Sequence, residues 1–421
     1  MNLFLNDPPP ANRIVKIGID ALDLGMFVSR LDRPWMETPF ILQGFVVNSS
    51  DDLEQIRALC NHIYVDTSRG RAPPAKDWLY GDDVDPKQQR DSTLPESEFS
   101  QLRKCHYRTT TSVEEEMATA EKSFTEIEKS YDLLLADLQK GKNLDVTTVK
   151  NGIEAMVNSV MRNPSAFMLV NQMKRTNEIG YAHALGTSVW CASFGRHLGL
   201  DREDIENLAL GGMLLDVGKI KLPLALTTKK GALTSEEQEL MKSHVDKSIH
   251  LMIGNPGIPH DVFRMIATHH ERNDGSGYPM ALEGEDIPIY GRIAGIVDSY
   301  DAMTTKSSYR KEMSSPHEAI SELHRLKGKQ FQTELVEQFI QTVGLYPTGS
   351  LVELSSGEIA VVIEINALRR LRPTLMVLLD PNKRPYAEFK ILDLSTTEME
   401  LEVKRGLAAG SYGIKMDELF L

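Results

Sequence analysis

Cysteine is scarce in this chain: Cys60, Cys105 and Cys191 are the only three in 421 residues. Their odd number and scatter exclude a disulfide framework and suit a reducing compartment. Long hydrophobic runs are missing too, with none near the ~18 apolar residues of a membrane span. The N-terminal stretch around Asn6-Asp7-Pro8-Pro9-Pro10 lacks a signal peptide's charged and apolar regions. A cytoplasmic protein without membrane insertion is therefore expected. Positive charge is in deficit, 47 Lys and Arg against 60 Asp and Glu for a net charge of −13. That balance argues against nucleic-acid binding, which needs basic surfaces. An anionic ligand would have to be drawn in by local cations. Internal repeats are absent. What remains is ordinary for a folded protein, 41% hydrophobic and 25% charged, over a length that suits two or three domains.

The chain reads in five segments. Residues 1–68 form a small α+β domain, in which Ile14 to Thr67 alternate apolar and polar positions, as in Ile14-Val15-Lys16-Ile17, with a short amphipathic helix from Asp51 to Cys60 and a strand His62–Asp66. Residues 69–111 are rich in Pro, Asp and Gly and read as a linker. Acidic and apolar residues at helical spacing within 112–145 form a coupling helix, whose Glu114-Glu115-Glu116 run reads as a solvated face. Residues 146–346 hold the blocks that carry chemistry, taken up below. From 347 to 421 short β-rich runs appear at Leu351–Leu354, Ile359–Ile363 and Met376–Leu379. The brief basic cluster Arg369-Arg370-Leu371-Arg372 reads as a solvated loop, and Trp35 and Phe40 read as core or interface residues rather than a ligand pocket.

One stretch carries chemistry: His269-His270-Glu271-Arg272-Asn273-Asp274-Gly275-Ser276-Gly277-Tyr278-Pro279. Imidazoles ligate metals, carboxylates orient them, and glycines let backbone approach an anion. A His-His pair in a polar loop more often ligates nothing, but this run has company. His183 lies in an apolar helical segment; Leu215-Asp216-Val217-Gly218-Lys219-Ile220, Met241-Lys242-Ser243-His244 and Asp298-Ser299-Tyr300-Asp301-Ala302 follow in order. Together these blocks resemble the HD-GYP phosphodiesterases, whose signature is His-His-Glu-x-x-Asp-Gly-x-Gly-Tyr-Pro. The region around Gly25–Val28 and Leu31–Trp35 resembles a small domain often found ahead of HD-GYP domains, and the tail resembles a β extension that follows some of them. The implied fold is mainly α, a helical HD-GYP bundle between a small α+β domain and a short β-rich extension.

The resemblance implies hydrolysis of cyclic di-GMP, to linear pGpG or on to GMP, by a pair of divalent metals, iron or manganese. One metal position would draw on Asp216, His244, His269 and His270. The other would draw on His183, Asp216 and Asp298 and is weakened, because Leu215 stands where the family has the His of its His-Asp pair. Leu215 shares a helical face with Ile205, Leu208 and Gly212 and should pack inward. A third metal is not expected, since its carboxylate position is Ile179 and Glu178 points about 100° away. Asp216 and Lys219 are the implied catalytic residues, Asp216 as the shared ligand. Substrate contacts would come from Lys219, Asp274, Gly275, Gly277, Tyr278, Pro279, Lys306, Tyr309 and Arg310. Here Ser307 replaces an arginine that contacts phosphate in the family, and a hydroxyl cannot reproduce its fork. A second reading follows from Leu215 and Ser307: a degenerate HD-GYP domain that senses cyclic di-GMP or docks partner proteins. The partners implied are cyclic di-GMP, with room for a diguanylate cyclase or other signalling protein and for a homodimer.

Overall fold

The computed structural model describes residues 14–33, 45–47, 49–67, 69–74, 105–142, 146–174, 179–253, 255, 257–305, 313–366, 371–396, 401–414, 416 and 419. Trp35, Phe40, Glu178, the side chain of Ile179, Lys306, Ser307, Tyr309, Arg310, Arg369, Arg370 and most of the expected linker lie outside them. The chain divides into two compact units, residues 1–101 with 367–369, and residues 102–366 with 370–421.

In the first unit β1 (Ile14–Gly18), β2 (Phe27–Leu31), β3 (Phe45–Val46) and β4 (His62–Asp66) form an antiparallel sheet in the order β1-β4-β2-β3. Period-two alternation sends Val15, Ile17, Val28, Ile63 and Val65 into one core with Ile56 from α1 (Ser50–Leu59). The Ser49 hydroxyl caps α1 by accepting from the Asp52 amide at 3.0 Å.

The second unit begins with α2 (Val113–Gln139), whose Ser112 and Glu115 form a capping box. It packs on α3 (Thr147–Arg162) and α4 (Pro164–Met173). The acidic run at the start of α2 is not wholly a solvated face, contrary to its sequence reading. Glu116 is only 2% exposed, grips Arg162 through two hydrogen bonds of 2.7 Å and accepts a third from Ser159 at 2.8 Å. Helical spacing turns this third carboxylate inward, and a guanidinium 46 residues away, invisible to local pattern, satisfies it. Burial alone would raise the pKa of Glu116, but Arg162 and Ser159 hold it below the usual carboxylate range. Because the Arg162 side chain is 38% exposed and can rehydrate, Glu116→Ala should cost about 2 kcal/mol, read from thermal or denaturant unfolding.

Helices α5 (Ile179–Leu198), α6 (Arg202–Leu214) and α11 (Ile289–Thr304) build the centre of the unit, with α7 (Leu224–Thr227), α8 (Ser235–Lys242), α9 (His244–Met252) and α10 (His260–Thr268) between the last two in sequence. Thr187 and Ser188 of α5 donate to the carbonyls of Gly212 and Ala209 at 2.7 and 2.8 Å, which fixes the register of α5 on α6. After α12 (Pro316–Leu326) comes α13 (Thr333–Val343), whose Phe339 packs edge-on against Trp190 and Phe194 of α5 and Tyr300 of α11, with ring centroids 5.1–6.0 Å apart. This aromatic cluster pins together the two helices that carry His183 and Asp298. The chain closes with an antiparallel sheet, β8-β7-β6-β5-β9, of β5 (Leu351–Leu354), β6 (Ile359–Glu364), β7 (Thr374–Leu379), β8 (Pro385–Asp393) and β9 (Val403–Gly406). Strands β5 to β7 fall where the sequence pattern puts them. The largely exposed β8 and β9 have no apolar alternation to announce them. No helix among the described residues is long and apolar enough to cross a membrane.

Candidate metal centre

Six side chains from distant parts of the chain converge in the helical unit. His183 comes from α5, Asp216 follows the end of α6, His244 opens α9, His269 and His270 follow α10, and Asp298 lies on α11. Two sets have donor atoms all within 4.8 Å of one another: Asp216, His244, His269 and His270, and His183, Asp216 and Asp298. Asp216 belongs to both. Its Oδ1 lies 3.1 Å from His244 Nε2, and its Oδ2 lies 3.5 Å from His183 Nε2. Asp298 reaches His183 Nε2 through Oδ1 at 3.0 Å and His270 Nδ1 through Oδ2 at 3.8 Å.

The main chain sets the histidine tautomers. His244 Nδ1 meets the Met241 carbonyl and His269 Nδ1 the Ile266 carbonyl, each at 2.7 Å. A carbonyl only accepts, so each Nδ1 carries the proton and each Nε2 offers a lone pair inward. His270 Nε2 and His244 Nε2 lie 3.2 Å apart. His269 Nε2 and Asp216 Oδ1 are buried without a hydrogen-bond partner. Buried polar atoms are rarely left unsatisfied, and a cation between them would satisfy both. The donor set of imidazole and carboxylate thus fits a metal.

Protonation states favour the same fit. Burial, with His244 beside it, pushes His269 down to about 4, and burial with His269 holds His270 well below its ordinary value. Burial would raise Asp216, yet Lys219, with Nζ 2.5 Å from Oδ2, holds it well below the carboxylate range. Burial likewise opposes ionisation of Asp298, but the hydrogen bond from His183 keeps it anionic. At neutral pH His269 and His270 are thus neutral and Asp216 and Asp298 anionic, so none of these four has an acidic proton for a metal to displace. His183 differs. Burial works to lower its pKa, but hydrogen bonds to Asp298 and Asp301 raise it to about 10. The proton on His183 stabilises the metal-free fold, fully below the ordinary histidine pKa, and that stability is lost as pH rises through about 10. Metal must displace this proton. Uptake at the His183 position should therefore release about one proton at pH 7 and tighten with pH up to about 10, which calorimetry in buffers of different ionisation heat measures.

Leu215 immediately precedes Asp216 as the C-cap of α6, and it is 1% exposed, packed inward as its helical face requires. The expected loop residues follow His270. The Tyr278 ring stacks on the His270 ring at 4.6 Å, and the Tyr278 amide donates to the His270 carbonyl at 3.2 Å. A Cβ at Gly277 would lie 2.4 Å from the Arg272 nitrogen and Glu271 Cα, so only glycine allows the loop to fold back this closely. Asp274 is exposed and accepts from the Ser276 amide and hydroxyl, shaping the turn. Lys242 stands 5.5 Å from the Tyr278 ring.

Two residues went unnoticed in the sequence. Glu271 is buried and accepts from the amides of Met280 and Leu282 at 2.7 and 3.0 Å, tying down the loop beyond Pro279. Asp301 is wholly buried and accepts from His183 Nδ1 at 2.8 Å. Both lie inside the quoted motifs, so the signal was a carboxylate one helical turn or one residue from a ligand.

The centre falls within residues 162–335, which match a family described as an HD domain. That match places an HD domain in this stretch of the chain. The HD domain is preceded by a match to a domain of unknown function over residues 14–149 and followed by a KOW domain associated with HD domains over residues 351–401. A cyclic di-GMP phosphodiesterase of Pseudomonas aeruginosa is 28% identical over 381 residues, 90% of this chain and 88% of that protein. A 3'3'-cGAMP-specific phosphodiesterase of Vibrio cholerae is 35% identical over 40% of this chain and 32% of its own length. A cyclic di-GMP phosphodiesterase of Thermotoga maritima is 37% identical over 34% of this chain and 39% of its own length. Among solved structures, the HDG"Y"P protein Bd1817 from Bdellovibrio bacteriovorus aligns at TM-score 0.43 and 16% identity over 77% of this chain and 98% of that one, a likeness too distant to carry an argument.

Proposed function

We propose that this HD-domain protein hydrolyses a phosphodiester bond of cyclic di-GMP. The observation that carries the reading is the convergence of Asp216, His244, His269, His270, His183 and Asp298 on one spot with buried donor atoms unsatisfied. In this reading Asp216, His244, His269 and His270 hold one divalent metal, iron or manganese, and His183, Asp216 and Asp298 hold a second. A metal pair of this kind activates water and neutralises phosphate charge for in-line displacement. The protein's own groups prepare that chemistry. Carbonyls aim the imidazoles, Tyr278 braces His270, and Lys219 keeps Asp216 anionic while its partly exposed ammonium offers a contact for phosphate. The loop residues Asp274, Gly275, Gly277, Tyr278 and Pro279 form one wall for the dinucleotide. Lys306, Tyr309 and Arg310 supply further phosphate contacts. Residues 1–68 act as a regulatory domain, joined through 69–111 and the helix within 112–145 to the HD domain, with the β-rich 347–421 behind it.

Leu215 favours a second reading. A buried leucine cannot ligate, so the His183 position has three protein donors, and the domain then binds cyclic di-GMP without turning it over. Chromatography separates the two readings: cyclic di-GMP and 3'3'-cGAMP are each incubated with metal-loaded protein. Hydrolysis of cyclic di-GMP to pGpG or GMP supports the enzyme. Binding without product supports the sensor, and faster cleavage of the hybrid dinucleotide overturns the substrate assignment.

A further inference from the structure

We infer that Asp301 is the positioning residue for His183, and that Gly186 is small so that Asp301 can reach it. The inference rests on the reading of His183 as a ligand.

His183 has two polar ends. Nε2 faces Asp298 and Asp216, the donors of its metal set, and Nδ1 faces away, to Asp301 Oδ2 at 2.8 Å. His244 and His269, both buried, anchor Nδ1 on the carbonyl three residues earlier. His183 uses a carboxylate from another helix instead. A carboxylate accepts more strongly than a peptide carbonyl, so it holds the proton on Nδ1 and leaves the Nε2 lone pair for a metal. Asp301 is itself held, because the Thr305 hydroxyl donates to the same Oδ2 at 2.8 Å. Room for this arrangement comes from α5. A Cβ at Gly186 would stand 2.3 Å from Asp301 Oδ1 and 2.8 Å from its Cγ. Any larger residue there would push the carboxylate off the imidazole.

The orientation of His183 matters more here than in a fully ligated centre. Leu215 contributes no donor, so the set His183, Asp216 and Asp298 must hold its metal with one imidazole. A swing of that ring removes a third of the protein donors.

The test uses the full chain and two variants, Asp301→Asn and Gly186→Ala, with manganese as the probe in competition against a chelator. Asparagine keeps the shape but weakens the acceptor, and Gly186→Ala displaces an intact Asp301. Each should weaken the weaker of two manganese sites about 10–100-fold and leave the tighter site unchanged. Turnover of Asp301→Asn should recover at high manganese with the substrate KM unchanged, which a general packing defect would not allow. Unchanged manganese affinity in Asp301→Asn, or lost turnover that excess manganese does not restore, overturns the inference. Wild-type protein that takes up no manganese would instead sink the underlying reading of the centre, so the two failures are distinct.

Discussion

Replacing Asp216 by alanine should abolish phosphodiesterase activity and remove most bound metal. Asp216 is the one side chain common to both donor sets, with one oxygen toward His244 and the other toward His183 and Lys219. Loss of an outer-shell partner typically costs about 10–100-fold, so loss of a shared ligand should exceed about 100-fold in activity. The variant also removes the carboxylate 2.5 Å from Lys219 and leaves Asp298 as the only carboxylate shared by His183 and His270. Metal analysis and turnover should therefore fall together. A variant that keeps either one would show that Asp216 does not bridge the centre.

Replacing Leu215 by histidine should do the opposite. Leu215 lies at the end of α6, next to Asp216, with its side chain buried. Imidazole is close to leucine in volume, so the change should fit without gross repacking. In metal-free protein a buried imidazole without a partner should cost about 1–3 kcal/mol. Metal should recover that loss, and turnover should rise by about 10–100-fold if the missing donor limits activity. Unfolding with and without manganese, alongside turnover, reads both effects. A variant that is destabilised under both conditions and no faster would mean that position 215 does not face the metals.

Much of the centre was legible in the sequence because metal ligands are imidazoles and carboxylates, and the blocks that carry them resemble the motifs of one family. His183, Asp216, His244, His269, His270 and Asp298 could each be picked from its block, and the structure brings all six together. What organises them was not legible. The anchor of His183 is 118 residues away in sequence, and the anchors of His244 and His269 are main-chain carbonyls, which every residue possesses. Glu116 shows the same limit: three glutamates in a row look alike until the fold buries the third against Arg162. Strands β5 to β7 announced themselves through short apolar runs, whereas the helices of the bundle were implied by the family resemblance. Strand β8 stayed hidden because most of its residues are exposed, Phe389 and Ile391 among them.

The most direct test of the central claim is metal-dependent turnover of cyclic di-GMP. Purified protein is stripped with a chelator and then reloaded anaerobically with iron or manganese, with Asp216→Ala treated in parallel. Turnover that disappears on stripping, returns on reloading and never appears in Asp216→Ala is the predicted result. Hydrolysis that survives complete metal removal, or folded and metal-loaded wild-type protein that yields no product, would contradict it.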